Sequence, residues 1–135
     1  MQRHVEPPEF FLDRSMGRVK FPELLRAAGI QLTTLAERYG VPADEDIADT
    51  TWLEDAGRLG DIVITKDAAI RRRPAEKDAI KQFGVRCFCI VNQGITAEQM
   101  AEWFLGNLDQ IIRASLKTGP FIYAVYNGRI ERLQL

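Results

Sequence analysis

Three aspartates stand at positions from which acids do chemistry. Asp13 directly follows the apolar run Phe10-Phe11-Leu12, and Asp67 follows Ile62-Val63-Ile64-Thr65 after one lysine. Asp49 closes an acidic stretch that also holds Asp44, Glu45 and Asp46. Carboxylates brought together repel: two unit charges 4 Å apart cost about 4 kcal/mol at an effective dielectric of 20. A shared proton or an intervening cation relieves that repulsion. Hard oxygen donors without Cys or His favour Mg²⁺ or Mn²⁺ over zinc or copper. Such an ion lowers the pKa of a bound water and offsets charge developing on a phosphate. An all-carboxylate site with no histidine base therefore points to hydrolysis of a phosphodiester.

Each of these residues also has an ordinary reading. Among 19 acids, some fall at strand ends and helix starts by chance. Asp49 is a good N-cap for a helix over residues 50–59, and Asp67 suits a plain turn. Asp13 is the least ordinary, because an acid at the end of a buried Phe-Phe-Leu strand needs a reason. Thr65 either supports a carboxylate or a metal-bound water, or bonds to backbone as strand threonines do. Arg71-Arg72-Arg73, with Lys66 nearby, present planar donor forks suited to RNA phosphates, or else a solvated helix start. Arg14 and Arg18 are further candidates for the same basic patch.

The elements around these residues determine whether they can meet. Residues 9–13 read as a short buried strand. A helix follows over 21–28, with Pro22 in its first turn and Gly29 beyond its end. Residues 30–35 alternate and are rich in β-branched side chains, which predicts a second strand. After the helix over 50–59, closed by Gly60, residues 61–65 form a continuous apolar run of the kind found in buried parallel sheets. Pro74 opens a helix to about Phe83, and residues 85–91 are a fourth strand. Thr96-Ala97-Glu98-Gln99 has the capping-box pattern and opens a long helix to about Lys117. Residues 121–126, the turn Asn127-Gly128 and residues 129–133 predict a C-terminal hairpin. Strand and helix alternate, so a parallel sheet covered by helices on both faces is expected. Ligand sites in such sheets gather beyond the C-terminal strand ends, where Asp13 and Asp67 both lie.

The bulk numbers set the frame. With 135 residues, 46% hydrophobic and 27% charged, the chain fits one domain, expected over 9–135 behind a flexible tail over 1–8 that carries the lone His4. The net charge of −1 argues against coating nucleic acid through bulk electrostatics, and leaves room for a local basic patch. Cys87 and Cys89 are read as buried small hydrophobes: they are too close in sequence to bridge, and too few for a zinc site. Trp52 and Trp103 are expected in the core or at a dimer interface. The N-terminal residues lack the apolar stretch of a signal peptide, and no membrane span is present, so a cytoplasmic protein is expected.

Taken together, Phe10-Phe11-Leu12-Asp13-Arg14-Ser15-Met16-Gly17, Asp49-Thr50-Thr51-Trp52-Leu53, residues 62–71 with their Thr65-Lys66-Asp67, and Arg73-Pro74-Ala75-Glu76 resemble the compact PIN-like domains of VapC-type toxins. The resemblance spans about Phe10 to Tyr126. It implies a three-layer α/β/α fold with a mainly parallel sheet of four to five strands. It further implies a metal-dependent endoribonuclease, the toxin of a toxin–antitoxin pair, with Asp13, Asp49 and Asp67 as metal ligands and catalytic acids. RNA substrate, a protein antitoxin and a homodimer are the partners expected with it. Larger PIN domains carry a fourth acid, for which Glu37 is the candidate here. Two other readings compete. One is a degenerate PIN-like module that binds RNA or protein without cutting. The other is a receiver-like or phosphatase domain, against which the fourth strand counts because it ends without a lysine.

Overall fold

The computed structural model describes residues 8–91 and 94–135. The expected tail over 1–8, His4 included, lies outside these apart from Pro8. In chain order the elements are β1 (Phe10–Leu12), α1 (Lys20–Ala27), β2 (Leu32–Thr34), α2 (Leu35–Tyr39), α3 (Asp49–Leu59), β3 (Ile62–Thr65), α4 (Pro74–Gln82), β4 (Arg86–Ile90), α5 (Ala97–Gly106), α6 (Leu108–Ser115), β5 (Phe121–Tyr126) and β6 (Arg129–Leu133). Short 3₁₀ turns occupy Arg14–Met16, Ala43–Asp46 and Ala68–Arg71. All six strands form one sheet in the order β2-β1-β3-β4-β5-β6, parallel except for β6, which pairs antiparallel with β5. The four expected strands and the C-terminal hairpin are all present, and both strands of the hairpin join the sheet.

Alternation along the strands divides the core between two faces. Phe10 and Leu12 of β1, with Ile62 and Ile64 of β3, pack with Phe21 and Leu25 of α1 and Phe104 of α5. Phe11 and Val63 point the other way, toward Trp52 and Leu53 of α3 and Ile80 of α4. β1 and β3 are buried throughout. Strands covered on both sides need apolar residues at every position, which is why these segments read as unbroken runs rather than as alternating ones. Cys87 and Cys89 are fully buried on the α3–α4 side, unpaired.

Two expected elements end differently. The second strand is only three residues long, and Leu35 belongs to the helix that follows. Thr34 and Glu37 form a capping box there, the threonine hydroxyl accepting from the Glu37 amide and the glutamate from the Thr34 amide. The single helix expected as far as Lys117 breaks at Asn107. Its side-chain amide donates to the carbonyls of Trp103 and Tyr126, tying the break to the end of β5. Asparagine competes in this way with helical backbone bonding, and Gly106 beside it offers little helix propensity to resist.

Helices α3 and α4 meet at Gly57. A Cβ there would lie 2.5 Å from the Phe83 carbonyl oxygen and 2.7 Å from its Cβ, so backbone has to move. Overpacking of this kind costs about 1–3 kcal/mol, more than the ~1 kcal/mol that alanine gains over glycine in a helix. Gly57→Ala is therefore expected to lower the urea midpoint of unfolding. An unchanged or raised midpoint would show that the helices separate without cost.

Candidate active site

The register of the sheet builds the site. Leu12 lies opposite Ile64 in the parallel β1–β3 pair, so the residues that follow each strand emerge side by side at the C-terminal edge. Asp13 caps the 3₁₀ turn after β1 and is 5% exposed. Its Oδ1 accepts from the Ser15 amide at 3.1 Å and the Ser15 hydroxyl at 2.5 Å. Its Oδ2 accepts from the Thr65 hydroxyl at 2.7 Å. Both hydroxyls in turn accept backbone N–H bonds, Ser15 from Lys66 at 2.8 Å and Thr65 from Asp67 at 3.0 Å. With those amides as donors, each hydroxyl proton is directed to Asp13. Burial pushes the Asp13 carboxyl up to about 6, the bonds from Ser15 and Thr65 oppose the rise, and the charge of Asp49 adds to it.

Asp67 caps the 3₁₀ turn after β3, its Oδ1 accepting from the Ala69 amide at 3.1 Å. Asp49 is not the N-cap expected for its helix. Ala48 holds that position without a side-chain bond, and Asp49 is the first helical residue. Its Oδ1 is free of capping and instead accepts from the indole Nε1 of Trp52, one turn on, at 2.9 Å. A negative charge in the first turn still suits the helix dipole. Asp13, Arg14, Ser15, Asp49 and Asp67 line one cavity of about 190 Å³. A second cavity, of about 250 Å³, shares Asp13 and Arg14 and continues past Arg18, Thr34 and Asp44.

The basic residues divide sharply. Arg73 reaches the acids: its Nη2 lies 2.6 Å from Asp67 Oδ2 and 3.5 Å from Asp49 Oδ2, and its Nε donates to Glu76 at 3.2 Å. Arg14 donates to the carbonyls of Asp44 and Ile47 at 2.7 and 2.9 Å, with Asp49 Oδ1 at 3.8 Å from its Nη1. Arg18 grips both oxygens of the buried Asp44 carboxylate. These two arginines thus hold down the segment that leads into Asp49. Arg71 turns to the carbonyl of Gln134, at 3.4 Å, while Arg72 is exposed and Lys66 half-buried. Glu37 lines neither cavity. It caps α2 and pairs with Arg26 at 2.7 Å, and that hydrogen bond holds its carboxyl below the usual range.

Three contributing residues escape the sequence reading: Ser15, Trp52 in its role toward Asp49, and Glu76. Each carries a short-range signal in hindsight. Asp13-x-Ser15 is the spacing of a side-chain turn, and both Asp49-x-x-Trp52 and Arg73-x-x-Glu76 are helical neighbours.

The donor set, three carboxylates with two supporting hydroxyls, fits a hard divalent cation in kind. It does not yet fit in distance, since among the described residues no three acid, histidine or cysteine side chains are gathered closely enough to hold an ion. Asp49 and Asp67 nevertheless already share one cationic atom, Arg73 Nη2. For an ion at the position of that nitrogen, reaching the roughly 2.0–2.1 Å of a Mg²⁺–oxygen bond would take shifts of about 0.5 Å by Asp67 and about 1.4 Å by Asp49, on side chains that are about one-third exposed.

A mainly parallel sheet with acids clustered beyond its C-terminal edge is the arrangement of a PIN-like domain, and residues 8–92 match the model of the family described as "PIN like domain". Over 123 residues the chain is 41% identical to "Putative ribonuclease VapC45" of Mycobacterium tuberculosis (strain ATCC 25618 / H37Rv), covering 91% of this chain and 89% of that protein. The chain belongs to the PIN-like domain family, as a VapC-type member. No solved structure matches it.

The buried Asp13 carboxyl yields a pH-dependent prediction. Its folded-state value of about 6 lies above the ordinary 3.8, so the folded protein holds this proton more tightly than the unfolded chain. Stability from this group is present at low pH and is lost as pH rises through about 6. In EDTA, the parent should lose stability relative to Asp13→Asn as pH rises from 4 to above 6, by up to about 3 kcal/mol. The offset that remains near pH 4 reports the acceptor lost on replacing a carboxylate oxygen by an amide NH₂. Urea titrations across this range check it, and parallel curves would refute it.

Proposed function

We propose that the protein is a Mg²⁺- or Mn²⁺-dependent endoribonuclease that acts as the toxin of a toxin–antitoxin pair. The observation that carries this reading is the convergence of Asp13, Asp49 and Asp67 on one cavity. The relative named as a ribonuclease, aligned over most of both chains, supports RNA as the substrate class. Asp13, Asp49 and Asp67 are the residues that would hold the metal. Bound there, it would supply an activated water and charge neutralisation at the scissile phosphate.

The remaining residues have supporting tasks. Ser15 and Thr65 orient Asp13 and keep both its oxygens in place. Trp52 holds one oxygen of Asp49, Oδ1. Lys66, Arg71 and Arg72 follow Thr65 closely in sequence and would supply positive charge for RNA phosphates. Arg14 serves the site as a structural tie rather than as a free phosphate clamp, and Glu37 serves as a helix cap. An antitoxin and a second copy of the chain are the protein partners this reading implies, in the cytoplasm. Among the described residues no helix is long and apolar enough to cross a membrane.

A second reading, a PIN-like module that binds RNA or protein without cutting, draws on one observation: Arg73 lies across two of the three acids. Cleavage assays separate the two. Purified protein with Mn²⁺ or Mg²⁺ should cut RNA internally, and EDTA should abolish the activity. Asp49→Asn and Asp67→Asn should each reduce the rate by at least about 100-fold, the loss typical of removing one charge-stabilising group. Cleavage that persists in EDTA, or in both variants, would defeat the nuclease reading. Tight RNA binding without cleavage would favour the module.

A further inference from the structure

Of the three consecutive arginines after β3, Arg73 is the one whose guanidinium reaches the acids Asp49 and Asp67. It stands at the N-cap position of α4 with extended backbone, φ −78° and ψ 124°. From there its guanidinium spans Asp67, through Nη2 at 2.6 Å and Nη1 at 3.5 Å, and Asp49, through Nη2 at 3.5 Å. The Nε edge is held separately by Glu76, whose side chain is only 17% exposed. Anchor and bridge therefore use different edges of one planar group. The side chain is 39% exposed, so a route to solvent is open to it.

Two carboxylates on one cavity repel, and the guanidinium offsets that repulsion. A divalent ion held by Asp49 and Asp67 would need the same Oδ2 atoms. Both cations cannot occupy that position, because their mutual repulsion replaces the attraction that each of them enjoys alone. Metal uptake and release of the Arg73 bridge are then two halves of one exchange.

We propose that Arg73 is a resident counter-cation: it holds Asp49 and Asp67 together in the metal-free protein and is displaced from them by the divalent ion. It is a positioning residue that sets the metal affinity of the site. The proposal rests on the metal-dependent reading above, and by linkage whatever binds the bridged form weakens metal binding.

Calorimetric titration of the full chain with Mn²⁺ tests it, using the parent, Arg73→Gln, Arg73→Lys and the charge control Arg58→Gln, which lies at the other end of α3 in a surface pair with Glu54. Circular dichroism and thermal melting confirm folding. Arg73→Gln should bind Mn²⁺ at least tenfold more tightly than the parent. Arg73→Lys, which keeps the charge, should fall between them, and Arg58→Gln should stay within about twofold of the parent, as screening of a distant surface charge requires. Unchanged or weaker binding by folded Arg73→Gln overturns the exchange while leaving a metal site in place. An equal gain in Arg58→Gln overturns it in favour of a general charge effect. No binding by any of the four proteins overturns this proposal together with the metal-dependent reading beneath it.

Discussion

The parallel pairing of β1 with β3 fixes the surroundings of Asp13. With Leu12 opposite Ile64, Thr65 and Asp13 leave the sheet as neighbours, and the backbone amides of Lys66 and Asp67 arrive where the Ser15 and Thr65 hydroxyls can accept them. Side chains alternate along a strand, so a slip of one residue would turn Phe11 and Val63 to the wrong face and carry Asp13 away from Thr65. The apolar layers on both sides of the sheet thus enforce the geometry of a site in which they take no direct part. Packing specifies the register, and the register specifies the site.

That site sits uneasily within its own electrostatics. Asp13 is buried almost completely beside a second acid, and the hydrogen bonds it receives lower its carboxyl pKa without restoring the ordinary value. Asp49 and Asp67 are more exposed and lean on Arg73. A fold selected for stability alone has little use for such an arrangement, whereas a fold that must present carboxylates to a cation does. Second contacts limit the conflict: Trp52 for Asp49, Ala69 for Asp67, and the two hydroxyls for Asp13.

Much of this was legible from local pattern. An acid within two residues of the end of a two-sided apolar strand marks the C-terminal edge of a parallel sheet, and that rule places Asp13 and Asp67 there. The hairpin is written in Asn127-Gly128 between two strand-like runs. Longer-range facts were not legible. The partners of Arg14 lie 30 and 33 residues along the chain, on a turn whose position follows from the fold, and no spacing rule reaches so far. Glu37 shows the opposite difficulty. Thr34-x-x-Glu37 is a complete capping box, and the acid that it employs locally is the one a family resemblance would send to the site. Asn107 likewise interrupts a helix whose apolar spacing runs on, because its amide finds a partner on β5.

The sheet also keeps sulfur away from the acidic cavity. Its two thiols lie on one face of β4, sealed beneath α3 and α4, with the Cys89 pKa pushed up to about 12, chiefly by burial and then by the charges of Asp13 and Asp67. Thiols kept protonated and dry neither oxidise readily nor ligate soft ions. Sulfur chemistry is closed off a few residues from the acids, and the cavity is left to oxygen donors alone.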